Sequence, residues 1–132
     1  MRKNALCEPW TGVLIIYLQI VHSSSLKDRR KVVRSLLDRI RDRWNVSAED
    51  MGPDNEKTDV LLAVAAVGKG LAEIEEHLAA VHSFLRGAEE FGEFYLVDSR
   101  QEVNKFEYFE WNDTAAGAVP FSKTVLPYGK DQ

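Results

Sequence analysis

Two runs of residues constrain this chain more than anything else in it. They are Val13-Leu14-Ile15-Ile16-Tyr17-Leu18-Gln19-Ile20-Val21 and Val60-Leu61-Leu62-Ala63-Val64-Ala65-Ala66-Val67. Both fall far short of the ~20 apolar residues a membrane helix needs, and their length and β-branched content read as strands. Side chains alternate across a strand, so Val13, Ile15, Tyr17 and Gln19 share one face while Leu14, Ile16, Leu18 and Ile20 share the other. Both faces are largely apolar, as in a strand covered on both sides, and two such strands belong in the middle of a sheet. Arg2 and Lys3 precede the first run as in a signal peptide, but Glu8, Pro9 and Gln19 interrupt it and no A-x-A site follows. A buried strand over 12–21 is the expectation.

The other elements arrange themselves around these two. Ser25 is a good N-cap with Asp28 three residues on, and Leu26, Val33, Leu37, Ile40 and Trp44 recur at helical spacing, with Val32 and Leu36 widening the stripe. Asn45 closes that helix, 46–51 reads as a short strand, and Gly52-Pro53-Asp54-Asn55 is the strongest turn signal. The second apolar strand covers 58–67. Gly68-Lys69-Gly70 then opens a helix over about 70–90, carried by Leu71, Ile74, Leu78, Val81 and Leu85. Phe91-Gly92 ends it, and a strand runs from Phe94 to about Glu102, with a possible continuation through Phe106 and Tyr108. The order β-α-β-β-α-β predicts an α+β, ferredoxin-like fold: a four-stranded antiparallel sheet with both helices on one face and strands one and three central. At 132 residues the chain is expected to hold one domain, 12–111, between an extension at 1–11 and a C-terminal tail at 112–132.

That fold leaves one apolar sheet face without helices. A homodimer through the sheet or its edge would cover it; the aromatic segment Phe106, Tyr108, Phe109 and Trp111 is the alternative.

Charge is unevenly placed. The net value of −4 gives no reason to expect nucleic acid. Between Ser25 and Trp44, however, eight cations (Lys27, Arg29, Arg30, Lys31, Arg34, Arg39, Arg41 and Arg43) stand against Asp28, Asp38 and Asp42, a net of +5 on one helix. At 100° per residue Lys27, Arg30, Lys31, Arg34 and Arg41 fall within a sector of roughly 100°. Such a stripe can follow a phosphate backbone, can meet an acidic protein, or can be an ordinary solvated face.

The sequence offers little that could carry chemistry. A single cysteine, Cys7, excludes an intrachain disulfide and a cysteine-based zinc site, and fits a reducing compartment. His77 and His82 lie about 140° apart on a helix and form no metal pair; His82 reads as a core-edge side chain. Gly68-Lys69-Gly70 stands where a phosphate loop would, but G-x-x-x-x-G-K-[ST] is not completed, leaving only a remote reading as an enzyme acting on a small anion there. Ser23, Ser24 and Ser25 beside His22 are accounted for as a helix entry. No catalytic constellation and no cofactor are indicated.

The stretch from His22 to Arg34, with Ser25-Leu26-Lys27-Asp28-Arg29-Arg30 at its centre, followed by Arg43-Trp44-Asn45-Val46-Ser47, resembles the YlxP-like family, catalogued as domain of unknown function 503. Trp44 replaces the family's usual Phe, Gly68-Lys69-Gly70 replaces a turn that often carries Asn-Asp, and the tail past about 104 is longer than usual. The resemblance covers about 12–103 and implies a small cytoplasmic bacterial protein with a ferredoxin-like fold. Members are often encoded beside translation factors, including ribosome-binding factor A. It brings no activity, cofactor or catalytic residue. The resulting expectation is a non-enzymatic accessory protein that touches structured RNA or the ribosome through Lys27, Arg30, Lys31, Arg34 and Arg41. The alternative is a homo-oligomeric protein-binding module with an acidic partner.

Overall fold

A computed structural model of the chain describes residues 7–107. The elements are β1 (Trp10–Ile20), α1 (Leu26–Arg43), β2 (Ser47–Asp50), β3 (Asp59–Gly68), α2 (Leu71–Glu89) and β4 (Phe94–Lys105). The sheet order is β2-β3-β1-β4, and every neighbouring pair is antiparallel. This is the expected ferredoxin-like α+β fold with the two most apolar strands in the middle. β1 begins at Trp10, two residues inside the segment assigned to the extension, because Trp10 pairs with both Gly68 and Lys105. β2 is shorter than its pattern predicted. β4 runs past Glu102 to Lys105, and Phe106 still donates its N–H to the Pro9 carbonyl at 2.8 Å. The expected continuation to Tyr108, and the tail, lie outside the described residues.

One face of the sheet carries the core. Leu14, Ile16, Leu18 and Ile20 of β1 and Val60, Leu62, Val64 and Ala66 of β3 are buried beneath the helices. α1 contributes Val33, Leu36, Leu37 and Ile40, and α2 contributes Ile74, Leu78, Val81, Leu85 and Ala88. Leu36, expected to widen the stripe, is buried at 1% exposure, whereas Leu71 stays exposed at the start of α2. Burying a large aliphatic side chain contributes about 1.5–3 kcal/mol, so these two helix stripes are the main attachment of the helices to the sheet. Between β2 and β3 the chain turns at Gly52, whose φ of 97° suits glycine.

The opposite face carries Val13, Ile15, Tyr17 and Gln19 beside Leu61, Ala63, Ala65 and Val67. Here Val13 and Val67 are exposed while Ile15, Tyr17 and Leu61 are half-buried. No described element lies over it. Of the aromatic segment offered as a cover, only Phe106 is among the described residues, and it is exposed.

Candidate nucleic-acid interface

The start of α1 is built by its own side chains. Ser25 is extended (φ −155°), and its Oγ accepts the Asp28 N–H at 3.1 Å. Asp28 reaches back, and its Oδ2 accepts the Ser24 N–H at 3.1 Å and the Ser24 hydroxyl at 3.0 Å. Those bonds, the backbone one first, hold the Asp28 carboxyl below its ordinary pKa. The positive end of the helix is thus met by an internal carboxylate. Replacing Ser25 with Ala removes one capping acceptor. The expected cost is about 1 kcal/mol, a fall in Tm of about 4–8 °C, to be read by thermal denaturation followed by circular dichroism.

Arg29, one of the eight cations of the helix and outside the predicted stripe, does not reach solvent. It is buried, 3% exposed. Its Nη1 and Nη2 donate to Asp50 Oδ2 and Oδ1 at 2.7 and 3.1 Å, and its Nε donates to the Asp59 carbonyl at 3.2 Å. The planar fork matches the carboxylate and ties α1 to β2 and β3. Burial alone would raise the Asp50 pKa; hydrogen bonds from Arg29 and the Gly52 N–H, with the charge of Arg29, outweigh it and hold the carboxyl below its usual value. Of the six motif residues, Ser25 and Asp28 cap, Leu26 is half-buried and Arg29 braces. Only Lys27 and Arg30 point to solvent.

The exposed face of α1 brings four of the five predicted contact residues together. Lys27, Arg30, Lys31 and Arg34, with Ser35, Asp38 and Arg39, line one furrow. They lie opposite the buried stripe. Arg41 stands apart, because its Nη2 donates to the Ala48 carbonyl at the edge of β2 and it pairs with Asp38 at 3.9 Å and Glu49 at 3.7 Å. Arg39, outside the predicted sector, takes its place in the furrow. Arg39 and Arg43 also lie 5.2 and 5.5 Å from the centre of the Phe84 ring on α2, Arg43 lies 4.6 Å from that of Trp44, and the two rings meet edge to face at 5.6 Å. This cluster closes the α1–α2 seam. Among the described residues, no ion pair holds Lys27, Arg30, Lys31 or Arg34.

Elsewhere the chemistry is sparse. At the Gly68-Lys69-Gly70 turn, Glu73 Oε1 accepts the Lys69 N–H at 3.1 Å, so a carboxylate of this chain occupies the place an anion would take. His82 is half-buried, with its Nε2 3.3 Å from the Ser99 hydroxyl. Among the described residues no group of three or more His, Cys, Asp or Glu is placed to hold a metal ion. No helix among them is long and apolar enough to cross a membrane.

A family model described as a protein of unknown function (DUF503) matches residues 11–100, which takes in all of α1 and the sheet up to the middle of β4. No curated protein matches the chain.

Proposed function

The chain belongs to the DUF503 family of proteins of unknown function, and on that premise we propose that it is a non-enzymatic accessory protein contacting structured RNA or the ribosome through the exposed face of α1. One observation carries this reading. The fold engages Arg29 and Arg41 internally and leaves Lys27, Arg30, Lys31 and Arg34 side by side in solvent, with Asp38 as the nearest anion in the furrow. Cations so placed bind phosphates without reading bases, and binding releases counterions. Arg39 extends the row toward the Phe84 cluster.

The experiment is co-sedimentation with ribosomal subunits at low salt, with and without RNase, for the wild type and a variant carrying Lys27→Glu, Arg30→Glu and Arg34→Glu. The expected result is RNase-sensitive binding that the variant loses. If the three residues each neutralise one phosphate, their loss also flattens the slope of log K against log salt by about 2–3. Absence of sedimentation, or binding indifferent to the charge reversal, overturns the reading. Binding that is charge-dependent but RNase-resistant overturns it in favour of an acidic protein partner.

A further inference from the structure

The uncovered sheet face carries a charge pattern with a consequence for what can lie on it. The strand pairings divide it into rungs that cross all four strands. The central rung reads Glu49 on β2, Ala63 on β3, Ile15 on β1 and Arg100 on β4. One rung to one side reads Ser47, Ala65, Val13 and Glu102. One rung to the other reads Met51, Leu61, Tyr17 and Asp98, with the Met51 N–H bonded to the Leu61 carbonyl at 2.7 Å. The middle is apolar, one edge carries alternating charge, and the other carries Glu49 beside a 59% exposed Met51.

We infer that this face is covered by a second copy of the chain, related by a twofold axis that runs along the strands between β1 and β3. A twofold contact must be self-complementary, and two sheets can meet face to face about an axis along the strands or across them. An axis across the strands sets each β4 over the partner's β4 with the rungs reversed. It stacks Arg100 on Arg100, Glu49 on Glu49 and Asp98 on Glu102, like charge on like throughout. An axis along the strands keeps each rung at its own height and sets β4 over the partner's β2 and β1 over its β3. Arg100 then faces Glu49, twice in the dimer. Ile15 faces Ala63 and Val13 faces Ala65, large on small, as interdigitating sheets need. Met51 faces the β1–β4 side, where Ile15, Tyr17, Leu61, Asp98, Ser99 and Arg100 line a shallow hollow.

Arg100 is exposed and has no ion-pair partner among the described residues. Glu49 has only the long contact with Arg41 at 3.7 Å, both side chains being largely in solvent. Four strands about 4.8 Å apart and three to four rungs give a flat footprint of roughly 400–500 Å² per copy. About 1,000 Å² in total is the lower range for a specific interface, so the charge pairs decide whether it holds. The dimer would leave both α1 helices on its outer surfaces, roughly 30 Å apart, and this inference stands independently of what α1 binds.

The test is sedimentation equilibrium of the full-length chain at low salt over about 1–100 µM. Arg100→Glu and Glu49→Arg, each checked for folding by circular dichroism, should each weaken the dimer at least tenfold. The double variant should restore it to within a few-fold of wild type. A wild-type monomer at all concentrations overturns the inference, including one that dimerises only when 108–132 is removed, which would make that segment the cover. So does a dimer insensitive to either single variant, or a double variant no tighter than the singles.

Discussion

Asp50→Ala is expected to destabilise the protein by about 3–4 kcal/mol, more than Arg29→Met, although both break the same bridge. The difference follows from burial. The Arg29 side chain is 3% exposed and that of Asp50 is 27% exposed. Removing Asp50 strands a guanidinium away from water with only the Asp59 carbonyl as partner, and an unpaired buried charge typically costs about 3–5 kcal/mol. Removing Arg29 leaves a carboxylate that keeps the Gly52 N–H at 2.8 Å and can draw water, so about 1–2 kcal/mol is expected. The double variant Arg29→Met/Asp50→Ala should then be more stable than Asp50→Ala alone. Urea denaturation of the four proteins gives the cycle, and equal costs for the two single changes would contradict the burial argument. The same bridge sets an acid dependence. The folded Asp50 pKa lies below its unfolded value, so its contribution is complete above about pH 4 and is lost as pH falls through the folded value. Asp50→Ala should therefore lose less stability than wild type on acidification below pH 4.

The fold was largely legible because its strongest signals are local. Ser25 and Asp28 announce the start of α1, and the capping geometry matches them. The two long apolar runs identify the central strands, and crossover handedness does the rest. The basic face was only partly legible. At 100° per residue Arg29 falls between Leu36 and Ile40, on the apolar side of the helix and away from the predicted stripe, but nothing in that spacing supplies the partner its charge needs. Its burial depends on Asp50, which lies on another element 21 residues away and is brought near only by the β2–β3 hairpin. Arg41 went the other way: its angle groups it with Arg30 and Arg34, but the open edge of β2 offers a carbonyl and Glu49 within its reach. Long cations are assigned by the acceptors that folding delivers to them, and helical spacing says nothing about those. The rungs of the open face were hidden for a related reason, since alternation along a strand gives its faces but only the pairing register sets Arg100 and Glu49 on one line.

Substitution of Gly12, the third residue of β1, should be among the most damaging changes in the chain. A Cβ there would lie 2.4 Å from Ile74 Cγ2 and 2.9 Å from Leu78 Cδ1, both on fully buried side chains of α2. Gly12 faces the helices beside Val103 of β4 and lets α2 approach β1 more closely than any side chain would allow. Overpacking a tight core costs about 1–3 kcal/mol for a methyl group, against which an Ala in a strand recovers roughly 0.5–1 kcal/mol of glycine's backbone entropy. A net loss of about 1–2 kcal/mol is expected for Gly12→Ala, and more than about 3 kcal/mol for Gly12→Val. Direct contact, rather than backbone conformation, is the cause if the sign reverses once the contact is removed. Ile74→Ala deletes Cγ2 and is itself costly, about 2–5 kcal/mol, because it opens a cavity beneath β1. In that background the methyl group of Gly12→Ala enters the vacated space, and the second change should be neutral or stabilising by urea denaturation. If Gly12→Ala destabilised the Ile74→Ala protein as much as it does wild type, close approach of α2 would not be the reason for glycine at this position. The displacement of α2 has a reach beyond β1, since Phe84 on the same helix carries the ring over which Arg39 and Arg43 of α1 are stacked.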